Sequence, residues 1–217
     1  MNLFWSTVRP LLWGALLGLS LWSGAAWASS HDVVARVVAV QGDAVLNAGA
    51  SLSRGSALRQ GDLVSTGADA RLRLRFLGGS LLTLGGETQL EVTRYEPATE
   101  DQAQQAYFRL LDGVMLAVAD GVTQGESDYI IETTAGTMGI RGTIVWGGYF
   151  VPGQADFVLF EGGPVEITND LGSVTLTTPG QGTSIPIDDD QRGLQAPFEP
   201  ALWSPAKVFN ASTTIAF

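Results

Sequence analysis

Three arginines recur at every second position along one short segment of the chain. Arg71, Arg73 and Arg75 alternate with leucine or phenylalanine, and this period of two predicts a strand with all three guanidinium groups on one face, about 6.6 Å apart. Arginine binds carboxylate and phosphate groups through paired hydrogen bonds, so such a face would suit a carboxylate- or phosphate-bearing glycan or lipid. The alternative is that Glu87 and Glu91, on a following strand, neutralise the arginines by cross-strand pairing.

A fourth arginine, Arg141, lies in an apolar, glycine-rich segment. Its side chain could reach a ligand. Alternatively it could tie two hairpins together by bonding carbonyl groups or a carboxylate such as Glu132, and such a tie would be partly buried. Gly139 and Gly142 bracket this arginine, so we expect positive φ angles or a close approach to another strand there. We therefore predict that Gly139, Gly142 and Thr143 form a structural motif.

The chain offers little for catalysis or metal binding. It has no cysteine, a single histidine (His31) and no Gly-x-Ser-x-Gly motif, so we predict no enzymatic activity and no cofactor. Asp188, Asp189 and Asp190 could bind Ca²⁺, which takes about six to eight oxygen ligands. Consecutive side chains of an extended segment point in alternating directions, however, so we predict a solvated tail and no metal site.

The composition favours strands joined by tight turns over long helices. The 217 residues include 27 glycines, nine prolines and a single lysine, and glycine and proline are typical of turns. Hydrophobic residues make up 45% of the chain and charged residues 16%, which is enough apolar surface for a buried core. The formal net charge of −10 disfavours binding to nucleic acid.

The first 28 residues have the pattern of a secretory signal peptide. Arg9 is the single charge before an apolar run at 10–22, and a small-x-small cleavage signal ends at Ala28. The run is shorter than the roughly 20 residues that span a bilayer. We expect cleavage after Ala28 and a periplasmic or extracellular mature chain. The alternative is an uncleaved N-terminal membrane anchor, and membrane association is expected only in that case.

Alternation with a period of two begins again at residue 33, with turn signals every eight to twelve residues or so. The pattern predicts an all-β fold: one domain over 33–185, built from short antiparallel strands and hairpins and arranged as a sandwich or as a short β-solenoid or roll. Prolines predict an irregular, extended C-terminal tail over 186–217, with Lys207–Phe217 returning as a strand. The predicted domain strands are Val33–Val40, Ala44–Leu46, Ser51–Leu58, Arg71–Phe76, Ser80–Leu84, Gln89–Arg94, Tyr107–Leu111, Val114–Val118, Tyr129–Thr133, Thr143–Phe150, Phe157–Phe160, Val165–Thr168 and Val174–Thr177.

An ordered set of motifs runs through the same region. Its members are Val37–Gly42, Leu58–Gly67, Ala70–Phe76 with the turn Gly78–Ser80, Leu111–Val114, Tyr129–Thr143, Phe160–Val165 and Pro179–Gly182. In this order the motifs resemble the periplasmic domain of FecR-type proteins, the ferric-citrate regulator family. The resemblance covers about Val33 to Ile185 and implies an all-β fold outside the cytoplasm.

The resemblance implies less about signalling partners. Family members that relay iron-uptake signals consist of a cytoplasmic segment that holds a sigma factor, one transmembrane helix and a periplasmic portion that ends in a receptor-docking domain. The leader at 1–28 and the residues after Pro186 offer no counterpart of the first and last of these parts. We therefore expect no contact with a sigma factor.

Export without a catalytic constellation predicts a non-enzymatic binding module of the cell envelope. We expect its partner to be an envelope protein or an anionic glycan, and its role to be that of an accessory to signal transduction. The alternative is a structural or outer-membrane-associated β protein, because the chain ends in an aromatic residue, Phe217, with alternation behind it.

Overall fold

The computed structural model describes residues 33–47, 49–119 and 128–217. These residues form eighteen strands and one short helix, so the predicted all-β class is confirmed. The predicted signal peptide lies outside the described residues. Within the described part of the chain, no helix is long and apolar enough to cross a bilayer.

The strands form two nine-stranded sheets. Sheet A contains β1 (Val33–Gln41), β4 (Ala57–Arg59), β6 (Arg71–Phe76), β7 (Leu81–Leu84), β10 (Val114–Val118), β13 (Ile144–Gly148), β14 (Gln154–Glu161), β17 (Gln181–Pro186) and β18 (Ala201–Leu202). Sheet B contains β2 (Ala44–Leu46), β3 (Ala50–Ser51), β5 (Leu63–Thr66), β8 (Gln89–Glu96), β9 (Gln105–Asp112), β11 (Asp128–Thr133), β12 (Thr137–Ile140), β15 (Val165–Asn169) and β16 (Gly172–Leu176).

The chain passes back and forth between the two sheets while it advances along them. The spatial order is β4-β1-β6-β7-β10-β13-β14-β17-β18 in sheet A and β3-β2-β5-β8-β9-β11-β12-β15-β16 in sheet B. Neighbouring strands are antiparallel except β9 and β11, which are parallel because β10 of the other sheet intervenes between them in the chain. The result is a two-layer sandwich that the chain builds by winding, which unites the two predicted arrangements.

The main hydrophobic core lies between the inner faces of the sheets. Leu74 and Phe76 of β6 and Phe108 of β9 belong to one buried cluster that both sheets share. The ring centroids of Phe76 and Phe108 are 5.0 Å apart, and those of Phe108 and Tyr129 are 5.3 Å apart. Removing these side chains from water stabilises the sandwich.

The C-terminal end differs from the prediction. The strand expected over Lys207–Phe217 is wrong, because Pro205–Thr213 forms the helix α1. The Ser204 side chain caps it by accepting a hydrogen bond from Lys207 N at 3.2 Å, and proline after such a cap is a helix-start signal. The terminal strand on which the outer-membrane alternative depended is therefore absent from the described residues.

Strand positions within 33–185 agree with the prediction except locally. The expected strand Ser51–Leu58 is divided into β3 and β4 by a turn in which Ser56 N donates to Ser53 O at 3.0 Å. Strands β5, β12 and β17 were not predicted. β5 has only four residues. β12 and β17 each contain a glycine, which weakens the alternating pattern from which strands are identified.

Candidate binding surface

Strand β6 confirms the predicted placement of its arginines. Leu72 and Leu74 are fully buried on the inner face, so Arg71, Arg73 and Arg75 point outward from sheet A. The first two are half-buried and Arg75 is exposed. All three guanidinium groups therefore share one surface of the molecule.

A fourth arginine on β1 joins this surface. Arg36 is exposed between the buried residues Ala35 and Val37, and it lies directly opposite Arg75 in the antiparallel pair of β1 and β6. Like charges directly opposite one another are destabilising. We call Arg36, Arg71, Arg73 and Arg75 the arginine face. Sequence reasoning missed Arg36, although its position between two apolar neighbours on a predicted strand indicated an outward side chain.

Three of the four guanidinium groups of the arginine face donate hydrogen bonds to neutral oxygens of the protein. Arg71 donates to Ala70 O at 2.6 Å and to Thr213 O at 3.5 Å. Arg73 Nε donates to Thr83 Oγ1 at 3.0 Å, and its guanidinium lies 4.8 Å from the ring centroid of Phe217. Arg36 donates to Gly55 O at 3.2 Å. Among the described residues, no carboxylate lies within ion-pair distance of any of the four arginines.

The acidic residues expected to neutralise this surface form no ion pair with it, so the cross-strand neutralisation considered above is wrong. Strand β8, which carries Glu91, belongs to sheet B. There Glu91 lies 3.5 Å from Arg109, and Glu132 lies 3.6 Å from the same guanidinium. Arg109 of sheet B is thus flanked by acids on both neighbouring strands, whereas the arginine face of sheet A has no acid at ion-pair distance among the described residues.

The outer face of sheet A over β10, β13 and β14 is mostly apolar and is covered. Residues 203–217, which we call the C-terminal cover, place the buried side chains Ala211 and Ile215 against Val114, Trp146 and Val158. Trp146 Nε1 donates to Thr214 Oγ1 at 3.0 Å, a contact that fixes the end of the cover.

One buried charge holds the cover at its other end. Lys207 Nζ donates to Asp156 Oδ1 at 2.9 Å, and the ammonium lies 3.7 Å from the ring centroid of Trp203. Asp156 is fully buried and also accepts hydrogen bonds from Ser184 Oγ at 2.6 Å and Gln154 Nε2 at 2.9 Å. The only lysine of the chain therefore ties the cover to the sheet.

Arg141 does not join the arginine face, and its predicted tie is wrong. The residue follows β12 of sheet B and is exposed, and the carboxylate of Glu132 is at Arg109 instead. Gly142 has the expected positive φ, +59°, although a Cβ there would meet no atom within 4 Å. Gly139 lies inside β12 with an ordinary φ, so the expectation fails there. Thr143 is buried, and its Oγ1 has no partner.

The three consecutive aspartates form a turn that is neutralised locally. Asp188 Oδ1 accepts hydrogen bonds from the backbone of Asp190 at 3.0 Å and of Arg192 at 2.8 Å. The Arg192 side chain pairs with both Asp188 and Asp190. Across the described residues, no group of three or more potential ligands could hold a metal ion.

Two buried tyrosines lie on the inner side of the sandwich behind the arginine face. Tyr95 packs against Phe76 with ring centroids 5.0 Å apart, and its hydroxyl accepts a hydrogen bond from Gly78 N at 2.7 Å. Burial raises the pKa of Tyr95 and, more strongly, that of Tyr129. Both phenols therefore stay protonated in the fold.

Comparisons with known proteins agree with this architecture. A family model described as "FecR protein" matches residues 62–163, which confirms the resemblance found in the motifs. Two crystal structures of a "putative anti-sigma factor" from Parabacteroides distasonis ATCC 8503 are similar in fold, with TM-scores of 0.51 and 0.50 and sequence identities of 12% and 13%. Each alignment covers 68% of this chain, and the chain spans 62% of the length of those proteins. No curated protein matches the sequence.

Proposed function

Because the chain carries a FecR domain at residues 62–163, we propose that it is an exported, non-enzymatic module of the cell envelope that binds a carboxylate-rich partner through the arginine face. The observation that carries this proposal is the unbalanced charge of that face. Four arginines lie together on β1 and β6 without a described carboxylate at ion-pair distance. In a chain of net charge −10, such a concentration of positive charge is a local exception that an anionic partner would stabilise.

The geometry of β6 favours carboxylates carried at regular intervals. Successive outward residues of a strand lie about 6.6 Å apart, and each guanidinium can take a carboxylate through two parallel hydrogen bonds. Arg75 and Arg36 widen the surface across the strand pair. The carboxylates would come from an acidic protein surface or from an anionic glycan, and no nucleic acid is involved.

The proposed compartment and role follow the family. FecR domains typically lie outside the cytoplasm. Together with the predicted cleavage after Ala28, this supports a periplasmic or extracellular location. The structural relatives are named as an anti-sigma factor, which supports an accessory role in envelope signalling. In this proposal the chain meets its partner on the envelope side and does not itself touch a sigma factor.

Affinity capture from native envelope tests the proposal. The double variant Arg73→Gln/Arg75→Gln removes two charges from the arginine face, and the matched control Arg141→Gln/Arg192→Gln removes two exposed charges elsewhere. We expect the wild type and the control to capture the same partner, and the double variant to lose it. Binding should weaken as salt rises from about 50 to about 300 mM, because the screening length falls.

Two further measurements complete the test. Protease digestion of the envelope before capture separates the sources, since a protein partner is lost and a glycan persists. Mass spectrometry of the exported chain should find Ser29 at its N-terminus. Equal capture by the double variant and its control would contradict the proposal, and so would the absence of any specific partner.

A further inference from the structure

A second candidate site lies at one end of the sandwich, where loops from both sheets meet. The groove there has a volume of about 620 Å³, within the usual range of small-molecule sites. Its walls come from the β5–β6 loop, the β7–β8 turn, the β9–β10 connection, the segment after β13 and the end of the C-terminal cover. The lining residues that carry the argument are Arg71, Glu87, Gln89, Asp112, Tyr149 and Phe150.

The first observation is a strained turn that holds a carboxylate at the groove. Glu87 has φ +52°, a left-handed conformation that favours glycine or asparagine and is unfavourable for glutamate. Its backbone is fixed on both sides. Glu87 N donates to Gly67 O at 3.1 Å, and Thr88 N donates to Thr66 Oγ1 at 2.9 Å. A non-glycine residue kept in this conformation is typical of functional positions.

The second observation is a set of polar groups with no partner in the described residues. The Glu87 carboxylate and the Gln89 carboxamide are exposed and make no hydrogen bond or ion pair there, and Arg71 Nε is buried without an acceptor. Asp112 uses Oδ1 to accept from Gly113 N at 2.8 Å and from Gln191 Nε2 at 3.5 Å, which leaves Oδ2 free. The groove thus presents donors and acceptors together.

The third observation is a rigid aromatic wall. The Tyr149 hydroxyl is 2.7 Å from Thr134 Oγ1, and Tyr149 N donates to Gly113 O at 2.8 Å. The Phe150 ring meets Trp146 edge to face, with centroids 5.6 Å apart. Both rings are therefore held in place before any ligand arrives, which limits the entropy lost on binding.

From these three observations we infer that the groove binds an uncharged saccharide unit. The hydroxyl groups of a sugar both donate and accept, as the mixed groups of Glu87, Gln89 and Asp112 require. The apolar face of a pyranose ring suits an aromatic wall. An anionic ligand is disfavoured because Glu87 and Asp112 would repel it. The groove shares Arg71 with the edge of the arginine face. The inference concerns an uncharged ligand, however, and does not depend on the anion binding proposed for that face.

Saturation-transfer NMR and calorimetry test the inference on the purified chain. The probes are maltotriose, cellotriose and chitotriose, with trigalacturonate as the anionic comparison. We expect at least one uncharged trisaccharide to bind with Kd below ~10 mM and trigalacturonate not to compete for the groove. Glu87→Gly should weaken that binding about tenfold or more and raise the melting temperature, because glycine adopts the same φ without strain. The matched control, Glu199→Gly in an exposed loop, should leave binding unchanged.

The outcomes separate the two proposals. If none of the three trisaccharides binds, or if Glu87→Gly binds as the wild type does, the saccharide inference is overturned and Glu87 is only a turn residue. Arg73→Gln/Arg75→Gln should lose the envelope partner yet keep trisaccharide binding. Loss of trisaccharide binding in that variant would also overturn the inference, because binding would then require Arg73 and Arg75, which do not line the groove.

Discussion

The outer face of sheet A has two halves: one is buried under the C-terminal cover, and the other is exposed to solvent. On β10, β13 and β14 most outward residues are apolar, and the C-terminal cover buries Val114, Trp146 and Val158. On β1 and β6 the outward residues are arginines, and they bond neutral groups of the protein and the edge of the cover. One half is closed by the chain itself and the other remains open.

The difference indicates which half is available to a partner. Burying an apolar sheet face stabilises the folded protein, and here residues 203–217 bury it. A surface of charged arginines is already well solvated, so it needs no cover. Solubility therefore does not explain why acidic residues are missing beside these arginines. Arg109 on sheet B is flanked by Glu91 and Glu132 at 3.5 and 3.6 Å. Among the described residues, no acid flanks the arginines of β6 in this way. This contrast supports the proposal that the open half binds an anionic ligand.

The largest expected effect comes from breaking the closed half. Trp146→Ala removes a fully buried side chain and its hydrogen bond to Thr214, so the free energy of unfolding should fall by about 3–5 kcal/mol. Urea unfolding measures this loss. Arg75→Gln on the open half is the control and should change stability little. A Trp146→Ala loss below about 1 kcal/mol would show that the cover contributes little.

Removing the ammonium that ties the cover should have the next largest effect. Lys207→Met leaves the fully buried Asp156 carboxylate without its cation, and we expect a loss of about 3 kcal/mol. The double variant Lys207→Met/Asp156→Asn should recover part of this loss, because the uncompensated charge is gone. Thermal unfolding of the three proteins checks the order. A double variant less stable than Lys207→Met would contradict the role given to the ion pair.

The two buried tyrosines behind the arginine face should make the free energy of unfolding fall at alkaline pH. Burial raises the pKa of Tyr95 and Tyr129 above 10.0, so the folded state keeps a proton that the unfolded state loses at about pH 10. The stabilisation is complete below that pH and falls as pH rises toward the raised pKa of each folded-state tyrosine, by at most about 1.4 kcal/mol per pH unit for each tyrosine. Unfolding measured between about pH 9 and pH 11 should show this slope. Tyr129→Phe should reduce it, and an unchanged slope would contradict the assignment.

The smallest expected effect sharpens the comparison on the open half. Arg75→Glu replaces a like-charge pair with Arg36 by an opposite-charge pair, and stability should rise by about 0.5 kcal/mol. Arg75→Gln should give a smaller gain, because it removes repulsion without adding attraction. Melting temperatures at low salt check this. If Arg75→Glu were less stable than Arg75→Gln, the two arginines would not interact as their register indicates.

Sequence reasoning predicted the features that depend on local alternation. The outward placement of Arg71, Arg73 and Arg75 follows from a period of two within one strand, and the positive φ of Gly142 follows from a glycine at a turn. Such features need no knowledge of which strands become neighbours. For the same reason the strands of the domain and the all-β class could be predicted.

Features that depend on strand pairing between distant segments could not be predicted. Glu91 was expected opposite the arginines, but consecutive hairpins alternate between the two sheets and place it beside Arg109. Arg36 joins the face only because β1 pairs with β6. The helix α1 begins at a start signal formed by Ser204 and Pro205, whereas the alternating residues after it favour the strand that was predicted there.

The winding order of the strands has a consequence for the way the protein acquires its structure. Apart from β1 with β6, every strand pairs with one that is at most three strands away in the chain, so most pairings close short loops and form early. A chain that emerges N-terminus first can add each hairpin to a platform already built. The contact between Arg71 and Thr213 spans 142 positions and must wait for the last residues. The arginine face is therefore assembled before the helix beside it docks, and a stalled or truncated chain would expose the apolar half of sheet A.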